Sequence, residues 1–104
     1  MTTDDYVDEV LQLVQRIPAG RVMSYSGIAD SLAERSGRRS PRLVGRIMAL
    51  YGDAVPWYRV VTSNGRVVPS HQVEHRARLK AERTPMRNDY VDMRRAEWQP
   101  DAES

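Results

Sequence analysis

The sequence contains no cysteine among its 104 residues. Disulfide bonds, thiolate catalysis and metal sites with cysteine ligands are therefore excluded. The chain also lacks any apolar run near the ~20 residues that a membrane helix requires. Its first residues, Met1 to Asp5, are acidic rather than apolar, which argues against a signal peptide. We therefore expect a cytoplasmic, nucleoid-associated protein.

A metal-binding pattern is also missing. The two histidines, His71 and His75, are four residues apart, a spacing that could place both on one helical face. Neither a third ligand nor the glutamate of a metalloprotease pattern accompanies them. We expect two solvated surface histidines and no metal or cofactor. The chain length suffices for one small domain with one core.

The net charge of +2 hides an uneven distribution along the chain. Residues 1–15 carry a net −4, residues 16–83 a net +8 and residues 84–104 a net −2. Twelve of the thirteen bases in the middle segment are arginine. A concentrated arginine surface favours a polyanionic partner, because each neutralised phosphate releases counterions. A solvated, salt-bridged helical surface is the alternative that charge alone leaves open.

Apolar periodicity predicts a mainly helical chain. A first helix buries a stripe from Tyr6 to Ile17. Ser24 is predicted to cap a second helix over 25–35, and Ser40 with Pro41 to begin a third that ends near residue 50. Two short helices joined by a glycine-containing turn form a helix-turn-helix pattern. Many helical domains that do not bind DNA share this pattern.

The second half of the chain predicts a small hairpin followed by a helix. Ser63-Asn64-Gly65 is a tight-turn signal between a strand, Tyr58 to Val61, and residues 66–68. A fourth helix is predicted over 73–83. The segment 88–98 is ambiguous: Tyr90, Val91 and Met93 suit a strand, and Trp98 would anchor the tail on the core. The predicted fold class is mainly α with a small β-hairpin wing.

Four segments together resemble one protein family in order and spacing, over roughly residues 7–83. They are Pro18-Ala19-Gly20-Arg21-Val22-Met23-Ser24-Tyr25-Ser26-Gly27-Ile28-Ala29, Arg42-Leu43-Val44-Gly45, Pro56-Trp57-Tyr58-Arg59-Val60 with the Asn64-Gly65 turn, and Arg78-Leu79-Lys80-Ala81-Glu82. They are similar to motifs of the O6-alkylguanine-DNA alkyltransferases. The resemblance implies a winged helix-turn-helix-like DNA-binding domain of the alkyltransferase C-terminal type over 1–83. Residues 84–104 would form an extension, packed on the same domain or partly disordered.

The departures from the family are at the reacting residues. The family's Pro-Cys-His-Arg-Val motif places an alkyl-accepting cysteine where this chain has Trp57, and an indole is no nucleophile. Tyr58 replaces the neighbouring histidine, and Val68-Pro69-Ser70-His71 replaces the family's Gly-Tyr-x-x-Gly loop. The chain therefore resembles the alkyltransferase-like proteins. These bind O6-alkylguanine in DNA by flipping the nucleotide, without catalysis, and flag it for nucleotide excision repair.

The resemblance also implies site residues. Arg42 would enter the duplex as an arginine finger, and Arg59 and Glu82 would have structural roles. The implied lesion pocket contains Trp57, Tyr58, Tyr25, Val60, Val67 and Ser70. The implied DNA-binding residues are Ser24, Tyr25, Ser26, Arg39, Pro41, Arg42, Leu43, Gly45, Arg46, Ala49 and Ser63. The implied partners are double-stranded DNA with O6-alkylguanine and nucleotide excision repair proteins, and a monomer would suffice.

Two other functions stay open at this point. The first is a winged-helix protein that binds undamaged DNA. The second is a DNA-repair enzyme with another acceptor, for which Tyr58 and Glu82 are the polar candidates. A tyrosine is a poor nucleophile at neutral pH because its ordinary pKa is about 10.

Overall fold

The computed structural model describes residues 3–36 and 39–100. Its helices and strands are α1 (Thr3–Arg16), β1 (Met23–Ser24), α2 (Tyr25–Ser36), α3 (Pro41–Tyr51), β2 (Val60–Val61), α4 (Gln72–Ala81), β3 (Met86–Arg87), β4 (Tyr90–Val91) and α5 (Met93–Ala96). Single 3-10 turns lie at Gly52–Ala54, Trp57–Arg59 and Pro69–His71. No helix within the two described ranges is long and apolar enough to cross a membrane.

The main core lies between the first three helices. The predicted stripe of α1 is buried at Tyr6, Val10 and Val14, as are Ile28 of α2 and Val44 of α3. These residues belong to one apolar cluster. Within α1 they are four residues apart and therefore lie on the same face of the helix. The predicted helices are confirmed to within two residues at most ends. The predicted stop after α2 at Gly37 lies outside the described residues.

Both predicted serine caps are present. The Oγ of Ser40 accepts a hydrogen bond of 3.1 Å from the backbone N–H of Leu43, and Pro41 is the first residue of α3. The Oγ of Ser24 accepts one of 2.9 Å from the backbone N–H of Gly27. Each bond satisfies an N–H that has no partner inside its helix, so the two caps fix where α2 and α3 begin.

The predicted wing differs from the observed one in its pairing. The turn is present: the N–H of Gly65, at φ +82°, donates to Thr62 O over 2.9 Å, and the Thr62 N–H donates to Arg66 O. However, β2 pairs in parallel with β1, and residues 66–68 form no strand. The reason is that the N–H of Val68 donates to the side chain of His75 instead of to a ladder.

The last described segment is an integral part of the core. β3 and β4 form an antiparallel hairpin, and the N–H of Val91 donates to Gly65 O over 2.9 Å. The backbone of Trp98 donates to Val22 O over 2.8 Å, and its side chain is buried with the residues of α1. Arg21 donates to the carbonyls of Ala96 and Glu97. Residues 85–100 therefore close the core beside β1.

Candidate functional site

Helix α3 presents one face to the core and another to solvent. Val44 and Ile47 are buried, whereas Arg42, Arg46 and Ala49 are exposed. The exposed positions follow the spacing of three and four that defines one helical face. The exposed face of α3 therefore carries two arginines and a small residue, and it is accessible to a partner. Leu50, with 67 % of its surface exposed, also lies outside the core, although the apolar pattern of α3 includes it.

A cavity of about 370 Å³ opens beside this face. Its volume lies within the range of ligand-binding pockets. The lining residues come from α2, α3, three 3-10 turns, the segment before the last of these turns and the start of α4. The lining residues are Tyr25, Gly45, Met48, Ala49, Gly52, Asp53, Trp57, Val68, Ser70, His71 and Glu74.

The indole of Trp57 forms one wall of this cavity. Trp57 follows Pro56 and begins a 3-10 turn, and it is only partly buried. Its ring packs edge-on against His71, at 5.9 Å between ring centroids, and against His75, at 5.2 Å. Edge-to-face packing of this kind restrains an aromatic ring while leaving part of its surface free. The indole thus faces an open space, not a filled core.

Tyr25 forms the side of the cavity next to α3. It is the first residue of α2, and its ring lies beside Gly45, where an added Cβ would stand 3.9 Å from the Tyr25 Cδ1. Burial raises the pKa of the Tyr25 hydroxyl above its usual value of 10.0. The hydroxyl is therefore a neutral hydrogen-bond donor at neutral pH, which suits an anionic partner.

Tyr58 and Arg59 form a brace with Glu82, away from the cavity. The guanidinium of Arg59 makes two hydrogen bonds to the carboxylate of Glu82, one of them 3.0 Å long, and its Nη1 donates to Ile17 O over 2.9 Å. The Tyr58 hydroxyl donates to Glu82 Oε2 over 3.3 Å. Hydrogen bonds from Arg59 lower the pKa of the Glu82 carboxyl, although burial opposes this. The charged groups of Arg59 and Glu82 are thus hydrogen-bonded within the protein and stabilise the fold.

Three residues predicted for the lesion pocket lie elsewhere. Val60 and Val67 are buried in the two apolar clusters, because β2 and the wing turn face the core. The ring of Tyr58 lies under the guanidinium groups of Arg59 and Arg78, at 5.5 and 5.4 Å. None of the three lines the cavity, whereas the predicted Trp57, Tyr25 and Ser70 do.

The predicted DNA-binding residues fall into two groups. Ser24 has 3 % of its surface exposed and its hydroxyl caps α2, so it is not free to contact a phosphate. Arg39 is exposed but forms an ion pair with Asp30, and Leu43 packs partly against the core. The remaining predicted contacts are at least partly exposed, and they are Tyr25, Ser26, Pro41, Arg42, Gly45, Arg46, Ala49 and Ser63.

Helical spacing could have identified some of the lining residues that the prediction missed. Met48 and Gly52 follow Gly45 at three and seven positions, so helical spacing alone places them on the same face. Asp53, His71 and Glu74 carry no such signal. They reach the cavity because the turns after α3 and before α4 meet there, which depends on tertiary structure.

The two histidines are not alike, contrary to the prediction of two solvated side chains. His71 is exposed, with its Nδ1 2.9 Å from the hydroxyl of Ser70. His75 is completely buried. Within the described residues, no group of three or more metal-ligating side chains is brought together.

Comparison with known proteins places this geometry in context. A family model, "6-O-methylguanine DNA methyltransferase, DNA binding domain", matches residues 5–84. The fold is similar to that of S. pombe Atl1 in complex with damaged DNA containing O6-carboxymethylguanine, with a TM-score of 0.80 and 25% sequence identity. It is also similar to S. pombe ATL in complex with DNA, with a TM-score of 0.78 and 25% identity. Each match covers 96% of this chain and 100% of the other. No curated protein sequence gives a significant match. The predicted fold class is confirmed.

Proposed function

The chain belongs to the family of the 6-O-methylguanine DNA methyltransferase DNA-binding domain, as an alkyltransferase-like protein, and from this we propose that it binds O6-alkylguanine in DNA without repairing it. One observation carries the proposal. The residue at the position of the family's reactive cysteine is Trp57, and its indole lines an open cavity next to the exposed face of α3. Binding surface is thus present where the nucleophile is absent.

The energetics of nucleotide flipping support an aromatic side chain at this position. Extruding a base from the duplex costs a few kcal/mol in lost stacking and pairing. Contact between a base and an aromatic ring returns roughly 1–3 kcal/mol. Each buried methylene of an alkyl adduct adds about 0.8 kcal/mol. Trp57 can therefore offset much of the cost of flipping and favour larger adducts.

Arg42 and Tyr25 are suited to act on the duplex while the nucleotide is flipped. Arg42 is exposed near the start of α3, so its guanidinium can fill the space that a flipped nucleotide leaves and bond to the orphaned base. The neutral hydroxyl of Tyr25 can approach a phosphate without charge repulsion. Gly45 and Ala49 are small, so the adjoining surface of α3 can approach a minor groove closely.

Catalysis is not needed for this function, and the site offers it little support. The chain has no cysteine, and the raised pKa of Tyr25 disfavours a phenolate nucleophile. We propose that the bound lesion passes to the nucleotide excision repair machinery, as the family resemblance implies. Because an isolated lesion has no two-fold symmetry, one copy of the chain is enough.

The test compares two duplexes that differ in one O6-methylguanine, at fixed salt concentration. Tighter binding of the lesion duplex supports the proposal, whereas equal affinities favour a binder of undamaged DNA. A second assay uses a duplex with a radiolabelled O6-methyl group. Label transferred to the protein, or a released base, would show that the protein is a repair enzyme.

A further inference from the structure

His75 is a buried histidine whose role the proposed function does not explain. It lies in α4, and none of its surface is exposed, although Val73 and Glu74 beside it in the sequence are exposed. An imidazole carries two polar nitrogens, which lose their contact with water on burial. Such a group is retained in a core only when both nitrogens have partners.

Both nitrogens of His75 are bonded to backbone groups, one of the lining residue Val68 and one of Tyr58, which follows the lining residue Trp57. The N–H of Val68 donates to Nδ1 over 3.0 Å, and Nε2 lies 2.8 Å from the carbonyl oxygen of Tyr58. Since Nδ1 accepts, it carries no proton, and Nε2 must donate to the carbonyl. The geometry therefore specifies the neutral imidazole with its proton on Nε2.

These bonds connect two separate parts of the cavity. Tyr58 continues the turn that carries Trp57, and Val68 begins the segment that carries Ser70 and His71. The imidazole also packs against the Trp57 indole, at 5.2 Å between ring centroids. His75 itself does not line the cavity. It thus acts on a ligand only through the residues that it holds.

We propose that His75 is a positioning residue, which holds the wall segment from Val68 to His71 against Trp57 only while its imidazole is neutral. The inference rests on the proposed function, since it concerns the same cavity. A proton on Nδ1 would face the N–H of Val68, and two donors cannot bond to each other. The protonated form must therefore release Val68 and loosen the wall.

The surroundings of His75 favour the neutral form. The titratable or charged groups on α4 and on the elements packed around it are Tyr58, Arg59, His71, Glu74, Arg76, Arg78 and Lys80. Burial lowers the pKa of His75, and the charges of His71 and Arg76 lower it further, while the bond to the Tyr58 carbonyl opposes them. Glu74 is paired with Arg78. The folded pKa is therefore below the ordinary value near 6.5, so the stabilisation is complete above that value and is lost as the pH falls through the folded pKa.

The experiment measures lesion preference, the ratio of affinities for the lesion and undamaged duplexes, between pH 7.5 and 5.0. The variant His75→Asn keeps an oxygen that can accept from Val68 but has no titrating ring. The matched control is His71→Asn, which removes the exposed histidine that also touches Trp57. In the unmodified protein, lesion preference should fall roughly tenfold as the pH falls through the folded pKa of His75, the effect of losing one hydrogen bond in a buried setting. In His71→Asn it should fall as well, with a midpoint at higher pH, because the charge of His71 lowers the pKa of His75. In His75→Asn it should be independent of pH.

A second measurement needs no DNA. In protein labelled with 5-fluorotryptophan, the fluorine resonance of Trp57, assigned with Trp57→Phe, should shift with the same pH midpoint, while that of the buried Trp98 stays constant. The amide proton of Val68 should lose protection from exchange over the same range. An unchanged Val68 amide, or a pH response that disappears in His71→Asn but persists in His75→Asn, would overturn the role of His75. Absence of lesion preference at pH 7.5 would instead refute the proposed function, and the amide and fluorine measurements would still decide the role of His75.

Discussion

Trp57 and Tyr58 are consecutive residues of one 3-10 turn, yet their side chains belong to two different regions. Trp57 lines an open cavity, where its ring packs edge-on against the rings of its neighbours. Tyr58 and the adjoining Arg59 belong to a brace in which the polar groups are bonded to Glu82 or to backbone. The brace uses its hydrogen-bonding groups to fix the fold, and the cavity keeps its apolar surface available. Changes in the brace should therefore affect stability, and changes in the cavity should affect binding.

Arg59→Ala tests the brace and has the largest expected effect. The side chains of Arg59 and Glu82 are only 16% and 15% exposed, so the change strands a largely buried carboxylate. We expect a loss of about 3 kcal/mol in the free energy of unfolding, measured by urea denaturation. The control is Arg39→Ala, whose ion pair with Asp30 is more than half exposed. That variant should lose at most about 0.5 kcal/mol, and equal losses would contradict the distinction.

The brace should also determine part of the acid sensitivity of the protein. Because the folded-state pKa of Glu82 is lowered, its carboxylate stabilises the fold above its ordinary value and ceases to do so as the pH falls through the folded pKa. Glu82→Gln should therefore unfold more easily at neutral pH and show a smaller loss of stability between pH 6 and pH 3. Thermal unfolding at several pH values measures this. Parallel profiles for the two proteins would exclude such a role for Glu82.

Trp57→Ala tests the cavity. Loss of base stacking should reduce lesion preference by about 1–3 kcal/mol, or roughly 5-fold to 150-fold, with little change in affinity for undamaged DNA. Fluorescence anisotropy with the two matched duplexes measures both affinities. Tyr90→Ala is a suitable control, because Tyr90 is an exposed aromatic outside the cavity. A similar loss of preference in the control would remove the special role of Trp57.

Arg42→Ala separates duplex engagement from recognition in the pocket. Its guanidinium is proposed to contact both lesion and undamaged DNA, so both affinities should fall by roughly tenfold, the cost of about one charged hydrogen bond. The slope of affinity against salt concentration should also become shallower by about one unit. If only the affinity for the lesion duplex fell, Arg42 would contribute to recognition of the lesion and not to general duplex binding.

Gly45→Ala has the smallest expected effect. It should change stability and affinity for DNA in opposite directions. An added Cβ meets only an ordinary contact with Tyr25, and alanine favours a helix interior by up to about 1 kcal/mol. Stability should rise slightly. Affinity for DNA should fall, because the added methyl group hinders close approach of α3 to the duplex. A variant that gains stability and binds DNA as well as before would show that α3 does not approach the duplex at residue 45.

The sequence by itself determined the helices and their beginnings. Ser24 and Ser40 supply cap oxygens to N–H groups three residues ahead, and the apolar stripe of α1 repeats at helical spacing. Such signals are local, so they can be read before the chain folds. The motif around Trp57 likewise predicted that Trp57 would line a pocket, and Trp57 does line the cavity.

Only the tertiary structure decided which side chains face the cavity and which face the core. Val60 faces inward because β2 pairs with β1, and Val67 because the segment after the wing turn packs in the second apolar cluster. His71 and Glu74 reach the cavity because two distant turns meet there. The burial of His75 depends on backbone groups seven and seventeen residues away. Such partners are brought together by packing between segments far apart in the chain, for which no local spacing rule exists.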